Sequence, residues 1–242
     1  MTYDCRKITK TNIPSMQRES RGIILICKKT RRILCIDRKS SPEFLHLMRG
    51  FYRRENIRSD IIPNCTQEEH DMLKEICYET DRKTRYNKIY NFLSDRYDRN
   101  KVDRCIKTTM SNFDEDMDEL KSALLQIMPR ETKNSMWPKG GMNRGETEVQ
   151  CAIRETLEET GVIVPAEKVT RNQLLVESTS FFGVMFRTVY FIAYTDEEYS
   201  LTDNYDKNEV SAVKWIHVDD LEKHVVPDYS KIIPDIRNYC NN

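Results

Sequence analysis

The chain has 242 residues, enough for one large domain or two small ones. Charged residues make up 32%, but 39 Lys and Arg offset 39 Asp and Glu, so the formal net charge is zero. That balance excludes a uniformly basic polyanion binder, and the few Gly and Pro exclude low-complexity and collagen-like chains; affinity for nucleic acid has to come from a local patch.

Residues 1–20 are polar and basic, with Arg6, Lys7, Lys10 and Arg18, and read as a solvated arm. They hold no hydrophobic signal region, and no apolar run reaches membrane-span length, so the expectation is a soluble intracellular protein without a membrane span. The eight cysteines are scattered without a C-x-x-C pair and read as reduced, mostly buried small hydrophobes. His46, His70, His217 and His224 do not cluster, which argues against zinc and against a catalytic triad. Gly22–Lys28 and Ile33–Asp37 are apolar runs on either side of a polar turn and predict a hairpin.

Residues 39–129 carry a helical pattern. Pro42–Tyr52 predicts a short apolar helix, and Thr66-Gln67-Glu68-Glu69 is an N-cap sequence ahead of His70–Cys77. Helices are predicted again over Tyr86–Tyr97 and from Phe113 through Leu120 and Leu124 to Met128. Between Arg82 and Lys107, nine basic residues face three acidic ones, with Tyr86, Tyr90 and Tyr97 interleaved. Basic side chains hold phosphates and aromatic rings stack on bases. Arg82, Lys83, Arg85, Lys88, Arg96, Arg99 and Lys101 are therefore candidate RNA-binding residues. The same pattern also describes a solvated helix face whose tyrosines pack inward.

The most ordered stretch runs from Trp137 to Val162. Gly140 and Gly141 allow close backbone approach to a ligand. Thr147 and Gln150 have capping-box spacing and Gly161 suits the position after a helix end, so a helix is predicted between them. Val149, Ala152, Ile153, Thr156 and Leu157 form one face; Glu155, Glu158 and Glu159 lie on the other, within an arc of roughly 100°. Three like charges so close repel. A hard divalent cation, Mg²⁺ or Mn²⁺, is the physical reason to accept them, and such cations bring phosphates. Lys139 is placed to meet phosphate. Arg154 reads as pointing off the carboxylate face and pairing with Glu146. Further on, Gln173–Glu177, Val184–Tyr194 and Asn208–Val218 predict strands, followed by a short helix from Asp219 and a last one over Asp228–Asn238.

Gly140, five residues, Glu146, seven residues, then Arg154-Glu155-Thr156-Leu157-Glu158-Glu159-Thr160-Gly161-Val162 resembles the Nudix box, with Thr156 where that family usually has an aliphatic residue. The resemblance implies an α/β fold: an α/β/α sandwich with a mixed sheet over residues 1–38 and 130–242, interrupted by an all-helical insertion over 39–129. It implies hydrolysis of a nucleoside diphosphate linked to another group. It assigns metal binding to Glu155, Glu158, Glu159, Glu209 and Gly140. Glu209 opens the Glu-Val-x-x-x-x-Trp-Ile run, where many such enzymes keep a further catalytic glutamate. Glu159, Glu209 and Lys139 are the catalytic candidates, and Glu146, Arg154 and Gly161 the structural residues of the box.

Trp137-Pro138-Lys139-Gly140 is similar to the lead-in of the mRNA-decapping branch. The insertion, opening with Ser41-Pro42-Glu43-Phe44, resembles that of the decapping enzymes of large cytoplasmic DNA viruses, asfarvirus type. The implied activity releases 7-methylguanosine diphosphate from capped RNA and leaves a 5′-monophosphate, with Mg²⁺ or Mn²⁺ as cofactor, in a host cytoplasm. Two alternatives stay open: a diphosphoinositol polyphosphate or dinucleoside polyphosphate hydrolase, and a non-catalytic RNA-binding module. Tyr3, Trp137, Phe181, Phe182 and Tyr205 are candidates to stack on the methylated base.

Overall fold

β-Branched runs build one part of the chain and periodic helices the other. The structure, a computed structural model, describes residues 17–129, 135–179 and 185–241. In chain order the elements are strands β1 (Gln17–Cys27) and β2 (Arg32–Arg38), then helix α1 (Pro42–Met48). A π-helical turn over Ile57–Ile61 leads into α2 (Ile62–Asn64), α3 (Gln67–Cys77), α4 (Arg82–Ser94) and α5 (Arg99–Gln126). Two short strands follow, β3 (Ser135–Met136) and β4 (Lys139–Gly140), then α6 (Glu148–Thr160), β5 (Val169–Thr179), β6 (Met185–Thr195) and β7 (Val210–His217). The chain closes with α7 (Leu221–His224), α8 (Pro227–Ser230) and α9 (Ile233–Asn241). The described residues divide into two compact units, one within Ser40–Thr132 and the other within Pro14–Lys39 and Lys133–Asn242.

In the sheet unit the order is β3-β2-β1-β6-β5, with β4 on β1 and β7 on β2. β1 and β6 run parallel, from Gln17↔Met185 to Cys27↔Thr195, while the other pairs are antiparallel, so the sheet is mixed. Alternation along the strands sorts two cores, as the period of two requires. Ile24, Ile26, Ile33, Trp137, Tyr190 and Ile192 meet Leu221, Ile233 and Ile236 from the C-terminal helices on one face. Ile23, Leu25, Leu34, Phe191 and Ala193 meet Ala152 of α6 and Val162 on the other. The sheet is thus covered on both faces. β2 and β3 are antiparallel neighbours at Ile36↔Met136 and Asp37↔Ser135. There the Ser135 hydroxyl donates to Asp37 at 2.6 Å, and Lys214 Nζ donates to the same carboxylate at 2.7 Å.

The helical unit is helical throughout its described elements, but its boundaries differ from the sequence reading. α4 begins four residues earlier than Tyr86, at Arg82, because Asp81 caps it by accepting from Thr84 N–H at 2.9 Å. α5 begins at Arg99, capped by Asp98, and not at Phe113; its 28 residues make a rod of roughly 42 Å. The basic run at its start masked the stripe Val102, Cys105, Ile106, Thr109, Met110 and Phe113, which is buried. The helical segment over Ile57–Asn64 was missed, since it carries no capping signal and turns at π pitch. At the start of the sheet, β1 already runs from Gln17, so the solvated arm does not extend to residue 20; positions 1–16 lie outside the described residues. The single last helix is two, α8 and α9, and no described helix is long and apolar enough to cross a membrane.

Candidate active site

The site is built on α6 and on the β4 backbone beside it. Thr147 and Gln150 close the capping box from both sides, and Gly161 ends the helix in the left-handed region at φ 71°. Ala152, Thr156 and Thr160 are buried along one line, with Cys151 beside them. Leu157 does not belong to that face: it is exposed, and Thr156 and Thr160 satisfy their hydroxyls by donating to the carbonyls of Ala152 and Thr156. A buried Thr on a helix can do this without a tertiary partner, which explains how Thr156 occupies an aliphatic position.

That face direction grades the three glutamates. Glu158 is 53% exposed at its side chain and Glu155 only 13%. Glu159 keeps partial surface, but its carboxyl group lies deep. Burial pushes the Glu159 carboxyl up to about 7, against the opposing pull of the Lys139 N–H, which donates to Oε2 at 2.8 Å, and of the Lys139 and Arg38 charges. Burial also raises Glu155, while Arg154 lowers it and Glu158 and Glu209 add to the rise. Gly140 touches this group: a Cβ on Gly140 would stand 2.1–2.3 Å from the Glu155 carboxyl atoms. Only glycine lets the β4 backbone pass there.

Arg154 pairs with Glu146 as expected, through Nε to Oε1 at 2.8 Å and Nη2 to Oε2 at 3.0 Å. That bond holds the Glu146 carboxyl down to about 2. It does not, however, point off the carboxylate face. Its Nη1 donates to Glu155 at 2.7 Å and to Glu158 at 2.9 Å, and Nη2 to the Gly141 carbonyl at 2.9 Å. The correction has a simple cause: Glu158 is the i+4 neighbour, and a long planar guanidinium reaches both the loop and the helix.

Glu209 comes to the same place from the far end of the sequence. It closes the Asp206–Glu209 turn before β7, is exposed, and carries a charge that reaches Glu155. Among the described residues, no three His, Cys, Asp or Glu side chains form a closed cage. The donor chemistry nevertheless fits a hard divalent cation: Glu155, Glu158, Glu159 and Glu209 supply oxygens alone, and Glu155 and Glu159 are raised by burial, a strain that a cation would relieve.

The aromatic candidates fare differently. Trp137 has no exposure and packs edge-on against Tyr190 and Tyr229 in the core; it cannot stack on a ligand base. Tyr205 is half-buried with its hydroxyl 3.5 Å from the Ser211 carbonyl, and Tyr3, Phe181 and Phe182 lie outside the described residues. A cleft of about 270 Å³ between Arg32, Trp215, His217 and His224 includes none of the box residues.

The basic stretch of the helical unit splits. Arg82 and Arg85 both donate to Asp114, at 2.9–3.1 Å, and Lys88 lies 3.6 Å from Glu75. Arg99 lies 3.8 Å from Asp103, Lys83 is exposed, and Arg96 and Lys101 sit over the rings of Phe92 and Tyr97. The seven candidates thus do not share one surface chemistry. Sequence reasoning missed Arg38, whose charge reaches Glu159, and Arg21, which ties α6 to β1 through Glu148 at 2.5–2.8 Å. Arg21 stands one residue before the predicted strand start, and that was its only signal.

A family model described as the NUDIX domain matches residues 114–236, just over half of the chain. No curated protein matches the sequence. Among solved structures, an Ap4A hydrolase binary complex from C. elegans shares 13% identity, with 93% of this chain and 96% of that chain covered, at a TM-score of 0.45. A MutT NUDIX hydrolase from Burkholderia pseudomallei shares 12%, covering 90% and 96%, at 0.45. A bifunctional NMN adenylyltransferase/ADP ribose pyrophosphatase from Francisella tularensis, complexed with AMP and a Mn ion, shares 13%, covering 93% of this chain and 42% of that one, at 0.46.

Proposed function

The chain belongs to the Nudix family, and from that premise we propose that it is an mRNA-decapping enzyme acting in the cytoplasm. It hydrolyses the cap pyrophosphate linkage to release 7-methylguanosine diphosphate and leave RNA with a 5′-monophosphate. The observation that carries the reading is the helical unit. It stands between β2 and β3 and is rich in basic and aromatic side chains, which a small phosphorylated substrate would not need.

Glu155, Glu158 and Glu209 are the residues that would hold Mg²⁺ or Mn²⁺. The bound cation would offset the negative charge of the pyrophosphate oxygens and acidify a water. Glu159 is the proton acceptor that the geometry supports better than Glu209. Its carboxyl is deep and takes, among the described residues, a single protein donor, the Lys139 N–H, which leaves its remaining lone pairs to accept a proton from attacking water. The water oxygen joins one phosphorus as the bridging oxygen leaves with the other fragment. Lys139 keeps Glu159 oriented through its backbone N–H, and its ammonium is available to substrate phosphate. Arg154 fixes the glycine turn to the helix through Glu146 and Gly141.

The test is incubation of the purified protein and Mn²⁺ with RNA labelled in the cap phosphate. Release of 7-methylguanosine diphosphate, lost with Glu158→Gln, is the expected result. Turnover of diphosphoinositol or dinucleoside polyphosphates without cap release would keep the Nudix chemistry and discard the RNA reading.

A further inference from the structure

α6 carries three glutamates on one line that faces the sheet. Glu148 opens the helix, Glu155 follows seven residues on and Glu159 eleven, so at about 100° per residue all three fall within about 20° of one direction. Ala152, close to the same line, is buried in one core with Ile23 and Leu25 of β1. Each glutamate meets a different fixed point. Glu155 lies against the Gly140 backbone, where a Cβ would stand 2.1–2.3 Å from its carboxyl atoms, and Glu159 accepts from the Lys139 N–H at 2.8 Å. Glu148 accepts from Arg21, from Nε at 2.8 Å and from Nη2 at 2.5 Å.

Arg21 is a buried charge within β1, only 6% exposed. Its other bonds stay on its own strand: Nη1 donates to the Ser20 carbonyl at 3.1 Å and Nη2 to Glu19 Oε2 at 2.8 Å. Burying a guanidinium costs desolvation that ion pairing roughly offsets, so an apolar side chain of similar volume would serve stability as well. What an apolar side chain lacks is direction, since a planar fork holds a carboxylate at one distance and one angle. The backbone of Arg21 is placed to match. Arg21 stands opposite Gly140 in the β1–β4 ladder and Gly22 opposite Lys139. The two strands lie tight, with the Pro138 carbonyl 2.2 Å from where a Cβ on Gly22 would be. β1 thus carries the backbone that receives Glu155 and Glu159, and it also grips the first residue of the helix that presents them. Along the helix axis the grip is about 10 Å from Glu155 and about 16 Å from Glu159. A helix held at Glu148 does not slide along the sheet without breaking that pair.

We propose that Arg21 is a positioning residue of the active site: through Glu148 it fixes where α6 stands along β1, and so sets Glu155 against Gly140 and Glu159 against the Lys139 N–H. It rests on Glu155 and Glu159 being site residues, as proposed above, and is independent of whether the substrate is RNA.

The experiment uses full-length protein and two readouts: kcat and KM for release of labelled cap product with Mn²⁺, and Mn²⁺ affinity without substrate from the EPR signal of the free ion. Melting curves are recorded for every variant. Arg21→Met and Glu148→Ala should each lower kcat about ten-fold, leave KM within about two-fold, and weaken Mn²⁺ binding about ten-fold. Glu148→Gln keeps an acceptor oxygen for the guanidinium and should retain most of both. Glu19→Gln removes the partner on β1 itself and should change neither. Glu148 is exposed, so its variants decide the matter if Arg21→Met does not fold. Lower melting temperatures with parental kcat and Mn²⁺ affinity would make the pair a structural tie only and overturn the proposal. So would a rise in KM alone, or an equal loss with Glu19→Gln. If the parent protein releases no cap product, the decapping reading fails and the Mn²⁺ series decides this one. A parent protein that also binds no Mn²⁺ would leave the arginine nothing to position, and the proposal would fall with it.

Discussion

Each unit buries a glutamate whose carboxyl burial raises, and the two are treated in opposite ways. Glu69 in the helical unit accepts from Ser41 N–H at 2.6 Å, the Ser41 hydroxyl at 2.8 Å and Thr66 N–H at 2.9 Å. One side chain thereby caps α3 and anchors the start of α1. Glu159 in the sheet unit accepts, among the described residues, only from Lys139 N–H. A carboxylate saturated by protein donors has finished its work in folding, whereas one with free lone pairs in a low-dielectric place is held ready for something that arrives. The contrast separates a structural acid from the one we propose as chemical more sharply than depth does, since both carboxyl groups lie deep.

The largest test of that contrast is the pH dependence of stability in chelator. Glu159 titrates at about 7 in the folded state against 4.5 ordinarily, so the folded protein holds this proton more tightly than the unfolded chain. The resulting stabilisation is complete below the unfolded value and is lost as pH climbs through 7, a change on the order of 3 kcal/mol. Urea denaturation at both ends of that window should show the loss, and Glu159→Gln should remove its share of the slope. If the mutant keeps the full slope, Glu159 is not the strained group.

Gly140→Ala comes next. The new Cβ would displace the Glu155 carboxyl, and we expect kcat to fall about a hundred-fold with the melting temperature little changed. An unaffected kcat would mean that Glu155 has no part in the site. On the structural side of the contrast, Thr66→Ala removes one cap and should cost about 1 kcal/mol in denaturant without altering turnover. The smallest effect is at an exposed pair. Asp114→Asn removes the carboxylate that Arg82 and Arg85 share and should cost about 0.5 kcal/mol in denaturant without altering turnover; a fall in turnover would show that these ion pairs do more than hold helices together.

The box was legible because its residues obey local rules. Thr147, Gln150 and Gly161 cap α6 as their spacing dictates. The sandwich was legible from the strand runs and from the resemblance together. What escaped were features set by tertiary distance. Trp137 sits in a motif lead-in but belongs to the core. Arg154 reaches two glutamates across a helical turn. The split of the basic stretch depends on Asp114 and Glu75, which lie outside it in sequence.

The pairing of Asp37 with Ser135 has one more consequence. Chain leaving the sheet after β2 and chain returning at β3 are hydrogen-bonded neighbours, so the long excursion between them begins and ends at a single point. To the sheet it is a closed loop, whose entropic cost grows only with the logarithm of its length. A short turn spliced in place of residues 40–132 would leave every ladder bond of the sheet where it is, and a catalytic unit freed of its appendage could be produced and studied alone.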